Sequence, residues 1–388
     1  MSARPRLLII GPTPPPYHGV AVAIEQLLRS KLQDEFEVTH VELADRRGIA
    51  HVNQPDFHDV LLFVGQWMRL CWLLFTRRPQ VVYLVPSQTT LGFVRDSFFV
   101  WPSVLAGAKI VAHLHGGAFR QWFEGRWAGT RWYVRSVLAQ IDRMILLGES
   151  LRPLFSGLLP DERVTVVPNG VDIPPVERPR RDARPEKPVR ILHLNTLNRM
   201  KGTLVLLAAI PTVVRHRRDV EFVFAGAWSH ETHRATAEWY IAKHQLEPYV
   251  RFVGQVTGSA KVACLRSADI FVFPGIQQEG QPLVVLEAMA AGLPIVFTNQ
   301  GCLRETVVNG ECGIEAHTED PYDLAQRLCF LLDHPDEQGR FGDNARRRCQ
   351  LLYTKDRHIE KLIGAIQGVL PDTSPSTRTS SLRSPQPP

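Results

Sequence analysis

Within residues 270–310 the carboxylates Glu279 and Glu287 stand eight positions apart. Glu279 lies in the polar loop Glu-Gly-Gln-Pro-Leu, and Glu287 lies on the apolar helix that this loop opens. An ionised carboxylate accepts hydrogen bonds from hydroxyls, and free amides at a helix start accept phosphate. Gly280 and the amides around Gln281 to Val284 are therefore read as a cradle, with Pro282 and Leu283 shaping it, Glu279 as an acceptor for sugar hydroxyls and Glu287 as an acceptor for a ribose diol. The apolar neighbours Val285, Leu286, Ala288 and Met289 leave Glu287 little room for a solvated face.

Four further segments have the same form. Asn195 to Gly202 places Arg199 and Lys201 where a strand hands over to a helix. Cations there oppose the helix dipole, so a shared anion such as a diphosphate is the better explanation for them. His113-Leu-His115-Gly-Gly117 ends another strand, and period two puts both histidines on one side. His115 is read as the ligand-facing one. A metal is not expected, because no third ligand stands at a suitable spacing. Gly19, after the stiff Pro-rich loop from Gly11, lets backbone approach a ligand at the first helix. Asn169-Gly170 in Val-Pro-Asn-Gly-Val-Asp is read first as a tight turn, with a site-shaping role for Asn169 second.

The elements that must position these residues alternate. Strands are predicted at 7–11, 38–43, 81–85, 110–115, 144–148 and 164–168. A second set is predicted at 189–194, 222–225, 252–256, 270–273, 295–298 and 313–316. Helices are expected between them, including 19–32, 201–215, 230–245, 259–267, 283–291, 322–332 and 344–370. This is an α/β pattern of two doubly wound parallel sheets in tandem. Residues 174–188, dense in Pro and Arg, read as a linker, and the Ser/Pro/Thr/Arg tail 372–388 as disordered. Every site segment falls at a strand's carboxyl end, where open α/β sheets bind ligands.

Composition narrows the partners. The chain has 388 residues and a net charge of +6, with no basic stripe carrying a nucleic-acid reading motif. That balance suits acidic small molecules or an anionic membrane surface, and no nucleic acid. Six scattered cysteines without a Cys-x-x-Cys pair suit a reduced compartment. A cytoplasmic protein without a secretory leader is expected, with contact at the inner face of the membrane as an addition. The apolar stretch Val60 to Phe75 is read first as a core helix on a sheet and second as membrane-touching; at 16 residues it is short for a bilayer span. The aromatic and arginine mixture of Phe119 to Arg135 is read first as an ordinary packed helix and second as a headgroup contact.

The run Pro-Gly-x-x-x-Glu-Gly-x-Pro-Leu-x-x-Leu-Glu-Ala-Met-Ala-x-Gly-Leu-Pro-Ile-Val resembles retaining glycosyltransferases of the GT-B fold, family 4. Val-Pro-Asn-Gly-Val-Asp, Lys201-Gly202 and the segment from Glu305 to Gly310 support the resemblance, which covers about residues 6–370. It implies a Rossmann-like acceptor domain at 1–173 and a Rossmann-like nucleotide-sugar domain at 189–355. A C-terminal helix at 356–371 is expected to pack back on the first domain. It implies a nucleotide-sugar donor, a saccharide or lipid-pyrophosphate-linked acceptor, and no cofactor or metal. Glu279 would contact the donor sugar, Glu287 the ribose, Lys201 and a nearby arginine the diphosphate, His115 the reaction centre and the Gly19 loop the phosphates. His115, Glu279 and Lys201 form the expected catalytic set, and neither glutamate is assigned as a nucleophile. The family's arginine five residues before the lysine is here Thr196, which leaves Arg199 as the substitute. A GT-B-like epimerase or phosphorylase and a non-catalytic sugar-nucleotide-binding protein are the rival readings.

Overall fold

The computed structural model describes residues 4–15, 19–43, 57–174 and 187–371, with residues 57–59 described in backbone only. Most of the predicted linker and all of the predicted tail lie outside the described residues.

The first half runs β1 (Arg6–Gly11), α1 (Gly19–Leu28), α2 (Leu32–Glu35), β2 (Glu37–Glu42), α3 (Phe57–Arg77), β3 (Val81–Leu84) and α4 (Thr90–Leu105). It continues with β4 (Lys109–His113), α5 (Phe119–Glu124), α6 (Ala128–Leu138), β5 (Arg143–Leu146) and β6 (Val164–Val166). The second half runs β7 (Val189–Leu194), α7 (Thr203–His216), β8 (Val220–Ala225), α8 (Glu231–His244), β9 (Val250–Gly254), α9 (Gly258–Ser267) and β10 (Ile270–Phe273). After it come α10 (Leu283–Ala290), β11 (Ile295–Thr298), α11 (Leu303–Thr306), β12 (Gly313–Ala316), α12 (Pro321–Asp333), α13 (Pro335–Leu352) and α14 (Lys355–Gln367).

The strands form two six-stranded parallel sheets, ordered β2-β1-β3-β4-β5-β6 and β12-β11-β10-β7-β8-β9. The short apolar runs are buried on both faces, as parallel strands covered by helices must be. In β1, Leu8 and Ile10 face one core while Leu7 and Ile9 face the other. The first core lies under α3 to α6. The second lies under α1 and α14, where Ile359, Leu362 and Ile366 cover the far side of the first sheet.

Two expectations need correction. The predicted helix 344–370 is two helices, broken at Tyr353, with Thr354 capping α14 through the amide of Arg357. The break redirects the chain from the second domain onto the first. The stretch Val60 to Phe75 belongs to the 21-residue helix α3, which buries only one face: Leu70, Leu73 and Leu74 enter the core while Trp72 and Phe75 are exposed. The periodicity of 60–75 shows both faces apolar, so it could not tell which one the sheet would take.

Strand order locates the switch points. The second sheet reverses direction between β7 and β10, and the first between β1 and β3. The loop after β7 carries Lys201 and the loop after β10 carries Glu279. The crevice outside the carboxyl ends at such a reversal is where α/β sheets hold ligands.

Candidate functional site

Lys201 sits in the turn before α7. Its backbone amide donates to Asn198 Oδ1 at 2.7 Å. Gly202 follows with φ +79°, and a Cβ there would stand 1.8 Å from the carbonyl oxygen of Pro274. Only glycine permits this approach of the α7 start to the loop after β10. It brings Lys201 Nζ into an ion pair with Glu279 Oε1, which also accepts from Gln277 Nε2 at 2.9 Å. Both partners of the pair are largely shielded from solvent. Beneath them His193 is fully buried. It donates through Nδ1 to Val272 O, and its Nε2 accepts from Thr203 Oγ1, both at 3.2 Å. Burial, with Lys201 nearby, holds its pKa down at about 4, so this support is neutral.

Glu287 lies one turn into α10 and pairs with Lys261 of α9. Its second oxygen, Oε2, is buried without a hydrogen-bond partner among the described residues. A carboxylate with one oxygen held by a lysine and the other unclaimed keeps acceptor capacity for a hydroxyl. Sequence reading missed Lys261: the pair is 26 residues apart, so no helical spacing announces it.

The first domain meets this wall backbone to backbone. Gly116 and Glu279 form an antiparallel bridge. A Cβ on Gly117 would lie 2.3 Å from the Glu279 carbonyl oxygen, and one on Gly280 would lie 2.2 Å from that of His115. Gly280, expected in the amide cradle, thus also lets the His115 loop and the Glu279 loop touch, as Gly117 does from the other side. Gln88, after β3, supports the same loop by accepting from the amide of Ala118 at 2.9 Å.

Behind the seam three imidazoles gather. The His113 and His115 rings are 4.2 Å apart, and His358 of α14 is 6.3 Å from His113. The Tyr83 hydroxyl lies 2.7 Å from His113 Nδ1, and His358 Nδ1 donates to Pro168 O at 2.7 Å. Burial, then the neighbouring His358, pushes His115 down to about 3. Its Nε2 has no hydrogen-bond partner among the described residues. His115 is therefore a neutral imidazole that can hydrogen-bond a ligand, not a standing cation. Sequence reading does not single out Tyr83 and His358, because their positions beside His113 come from the fold alone.

Other predicted residues divide. Gln281 is buried and its side chain is used between the domains. Its Oε1 accepts from the Asn169 amide at 2.7 Å, its carbonyl accepts from Asn169 Nδ2 at 2.8 Å, and its Nε2 donates to Thr306 Oγ1 at 3.0 Å. The tight-turn reading of Asn169-Gly170 is corrected accordingly: neither residue has a positive φ, and the motif is an interdomain tie. Val171 continues it, exchanging backbone hydrogen bonds with Tyr353 and Lys355 at 2.9 and 3.1 Å. Pro282, Leu283 and Val284 form the start of α10 and are half-buried. Glu305 crosses the seam, accepting from the amides of Glu149 and Ser150 at 3.1 and 3.0 Å. Arg199 instead turns outward: its side chain is 67% exposed and pairs with Glu319 at 3.3 Å. Gly19 opens α1 with free space around it.

Comparison with known proteins agrees with this arrangement. The family described as glycosyl transferases group 1 matches residues 177–348, and glycosyltransferase family 4 matches residues 17–174. A phosphatidyl-myo-inositol mannosyltransferase of Mycolicibacterium smegmatis is 32% identical over 182 residues, 46% of this chain and 45% of that protein. A glycogen synthase of Mycobacterium tuberculosis is 31% identical over 221 residues, 56% of this chain and 51% of that protein. The chain thus spans about half the length of the curated relatives it matches. The solved structure of HepE from Anabaena in complex with UDP superposes with a TM-score of 0.74 at 16% identity, over 94% of this chain and all of that one. With its two Rossmann-like domains in the GT-B arrangement, the chain belongs to the group 1, family 4 glycosyltransferases.

Proposed function

We propose that this protein transfers a sugar from a nucleotide-diphosphate sugar to a hydroxyl of a saccharide or lipid-linked saccharide acceptor, with retained anomeric configuration. Synthesis of a cell-surface polysaccharide or glycolipid is the setting this reading favours. One observation carries it: Lys201, Glu279 and His115, from three strand ends, converge where the Glu279 loop bridges to Gly116. The relatives that act on mannosyl and glycogen chemistry, and the HepE structure with UDP-glucose, support the donor class.

In this reading the bond between the anomeric carbon and the leaving diphosphate oxygen breaks and a bond to the acceptor oxygen forms. The acceptor proton passes to the leaving phosphate. Lys201 and the positive end of the α7 helix dipole stabilise the charge that grows on that phosphate. Glu279 accepts from sugar hydroxyls, neutral His115 hydrogen-bonds near the reacting carbon, and Glu287 offers Oε2 to the ribose. Positive charge from lysine and the helix dipole takes the part a metal would otherwise play, so activity is expected to persist in a chelator.

The test is a screen of UDP-, GDP-, ADP- and TDP-sugars for hydrolysis and binding, with and without EDTA. Hydrolysis of one donor class, and an axial or equatorial product matching the donor's own anomer by NMR, is the expected result. Failure of every donor to bind, or an inverted product, would overturn the reading.

A further inference from the structure

The helical layer on the outer side of the first sheet ends in an apolar surface that the proposed reaction leaves unexplained. On α3, Val60, Val64, Met68, Trp72 and Phe75 share one stripe at helical spacing, and all five are exposed, Phe75 to 77%. The opposite stripe, with Leu70, Leu73 and Leu74, enters the core. On α4, Leu91, Phe98 and Leu105 repeat every seven residues and are exposed as well, Leu105 to 87%. The two helices are joined side by side: Trp67 Nε1 donates to Phe98 O at 3.1 Å, and the Phe63 and Phe98 rings lie 5.8 Å apart. α6 adjoins α4 through the Ser97 and Tyr133 hydroxyls, 2.5 Å apart, and the α6 segment adds exposed Trp127 and Trp132.

Charge on this layer is mostly positive; its acids are Asp59 at the start of α3, Asp96 and Glu124. Residues 60–78 and 125–138 contain no Asp or Glu. On α4 the single acid, Asp96, is buried and is bonded to Arg95 and the Ser87 amide; on α5 Glu124 is paired with Arg120. Arg126 and Arg131 are exposed and form no ion pair among the described residues. Large apolar side chains, tryptophans at their margin and unpaired arginines suit the boundary between anionic headgroups and acyl chains. They do not suit water, and a margin richer in arginine than in acids argues against a second copy of the same positive face.

We propose that the outer faces of α3, α4 and α6 form a docking surface for an anionic lipid bilayer, with α3 lying in the interface plane. By length and composition α3 could cross a bilayer. Crossing would withdraw Leu70, Leu73 and Leu74 from the core and break the Arg69 Nη2 to His40 O hydrogen bond of 3.3 Å. A helix with one face built into the domain lies flat instead. None of these residues belongs to the site at the strand ends, so docking is separable from the proposed transfer.

The test is flotation of the full-length protein with vesicles of phosphatidylcholine, alone or mixed with phosphatidylglycerol. Binding to the mixed vesicles, weakened by salt, is expected. Trp72→Ser with Phe75→Ser should lower partitioning by about tenfold or more. Arg126→Ser with Arg131→Ser should lower it by about tenfold on anionic vesicles alone. Nucleotide binding should be unchanged in both, so loss of docking is distinguishable from failure of the transferase reading. The proposal is overturned if wild-type protein ignores anionic vesicles at low salt, or if Trp72→Ser with Phe75→Ser binds as wild type. It is equally overturned if that variant abolishes a concentration-dependent dimer in a protein that binds no vesicles. Retention in the membrane after an alkaline carbonate wash would overturn the interfacial placement.

Discussion

The two walls at the domain seam hold their polar groups in opposite ways. On the C-terminal wall each glutamate is matched to a lysine, Glu279 to Lys201 and Glu287 to Lys261. On the N-terminal wall the groups are neutral: His113 and His115 are buried against each other, and the Nε2 of each is unpartnered among the described residues. Charge therefore stands where the leaving diphosphate would be held, and neutral hydrogen-bonding capacity stands across from it. A carboxylate with one oxygen on a lysine keeps acceptor capacity at its other lone pairs. A histidine pressed into an apolar sheet end stays uncharged and adds no competing cation.

This contrast can be broken in order of consequence. Lys201→Ala should do most, costing about a hundredfold to a thousandfold in kcat/KM for the donor, the cost typical of deleting one preorganised transition-state contact. An unchanged kcat/KM in steady-state assays would remove Lys201 from the proposed chemistry. Glu287→Gln keeps the shape beside Lys261 while removing the charge, and should weaken nucleotide binding by about tenfold to a hundredfold. Calorimetric titration with the free nucleotide reads this, and equal affinity would refute the ribose assignment.

The neutral histidines make a smaller, pH-dependent claim. Burial holds His193 at about 4 and His115 at about 3, and holds His113 and His358 below their ordinary value. In the unfolded chain histidine titrates near 6.5, so below that pH the unfolded state binds more protons. Stability is then fully present above about pH 6.5 and falls as pH drops toward 4, by up to about 1.4 kcal/mol per pH unit for each such histidine. Urea midpoints that stay level from pH 7 to pH 5 would show that these imidazoles are accessible and charged. Arg199→Ala should do least. Its exposed pair with Glu319 contributes under about 1 kcal/mol, and donor KM should change less than about twofold. A tenfold rise in KM would show that Arg199 swings in to replace the arginine missing at Thr196.

Much of this is legible in the chain itself. Strand positions can be read because runs such as Ile-Phe-Val-Phe and Ile-Val-Phe-Thr are too short and too apolar to be anything but buried strands between helices. Lys201, Glu279, Glu287 and His115 can be singled out because each sits where such a run ends. Three things are not legible. Asn169 and Gln281 look like a turn and a cradle in sequence, yet they bond to each other across 112 positions. Gly280 looks like a phosphate-cradling glycine, yet its missing side chain, like that of Gly117, makes room for the opposing backbone. Arg199 looks like a second phosphate ligand, yet it pairs outward with Glu319.

The sequence by itself determined the alternation of strands and helices, the two-domain tandem and the chemical types available at each strand end. Local periodicity and the β-to-α junctions encode these within a few residues of chain. Tertiary structure alone decided that Lys261 faces Glu287, that His358 arrives beside His113 on a helix from the far end of the chain, and which apolar face of α3 is left outside. Those outcomes depend on how two sheets and a returning helix stack. Contacts between residues dozens to hundreds of positions apart leave no period for a linear reading to find.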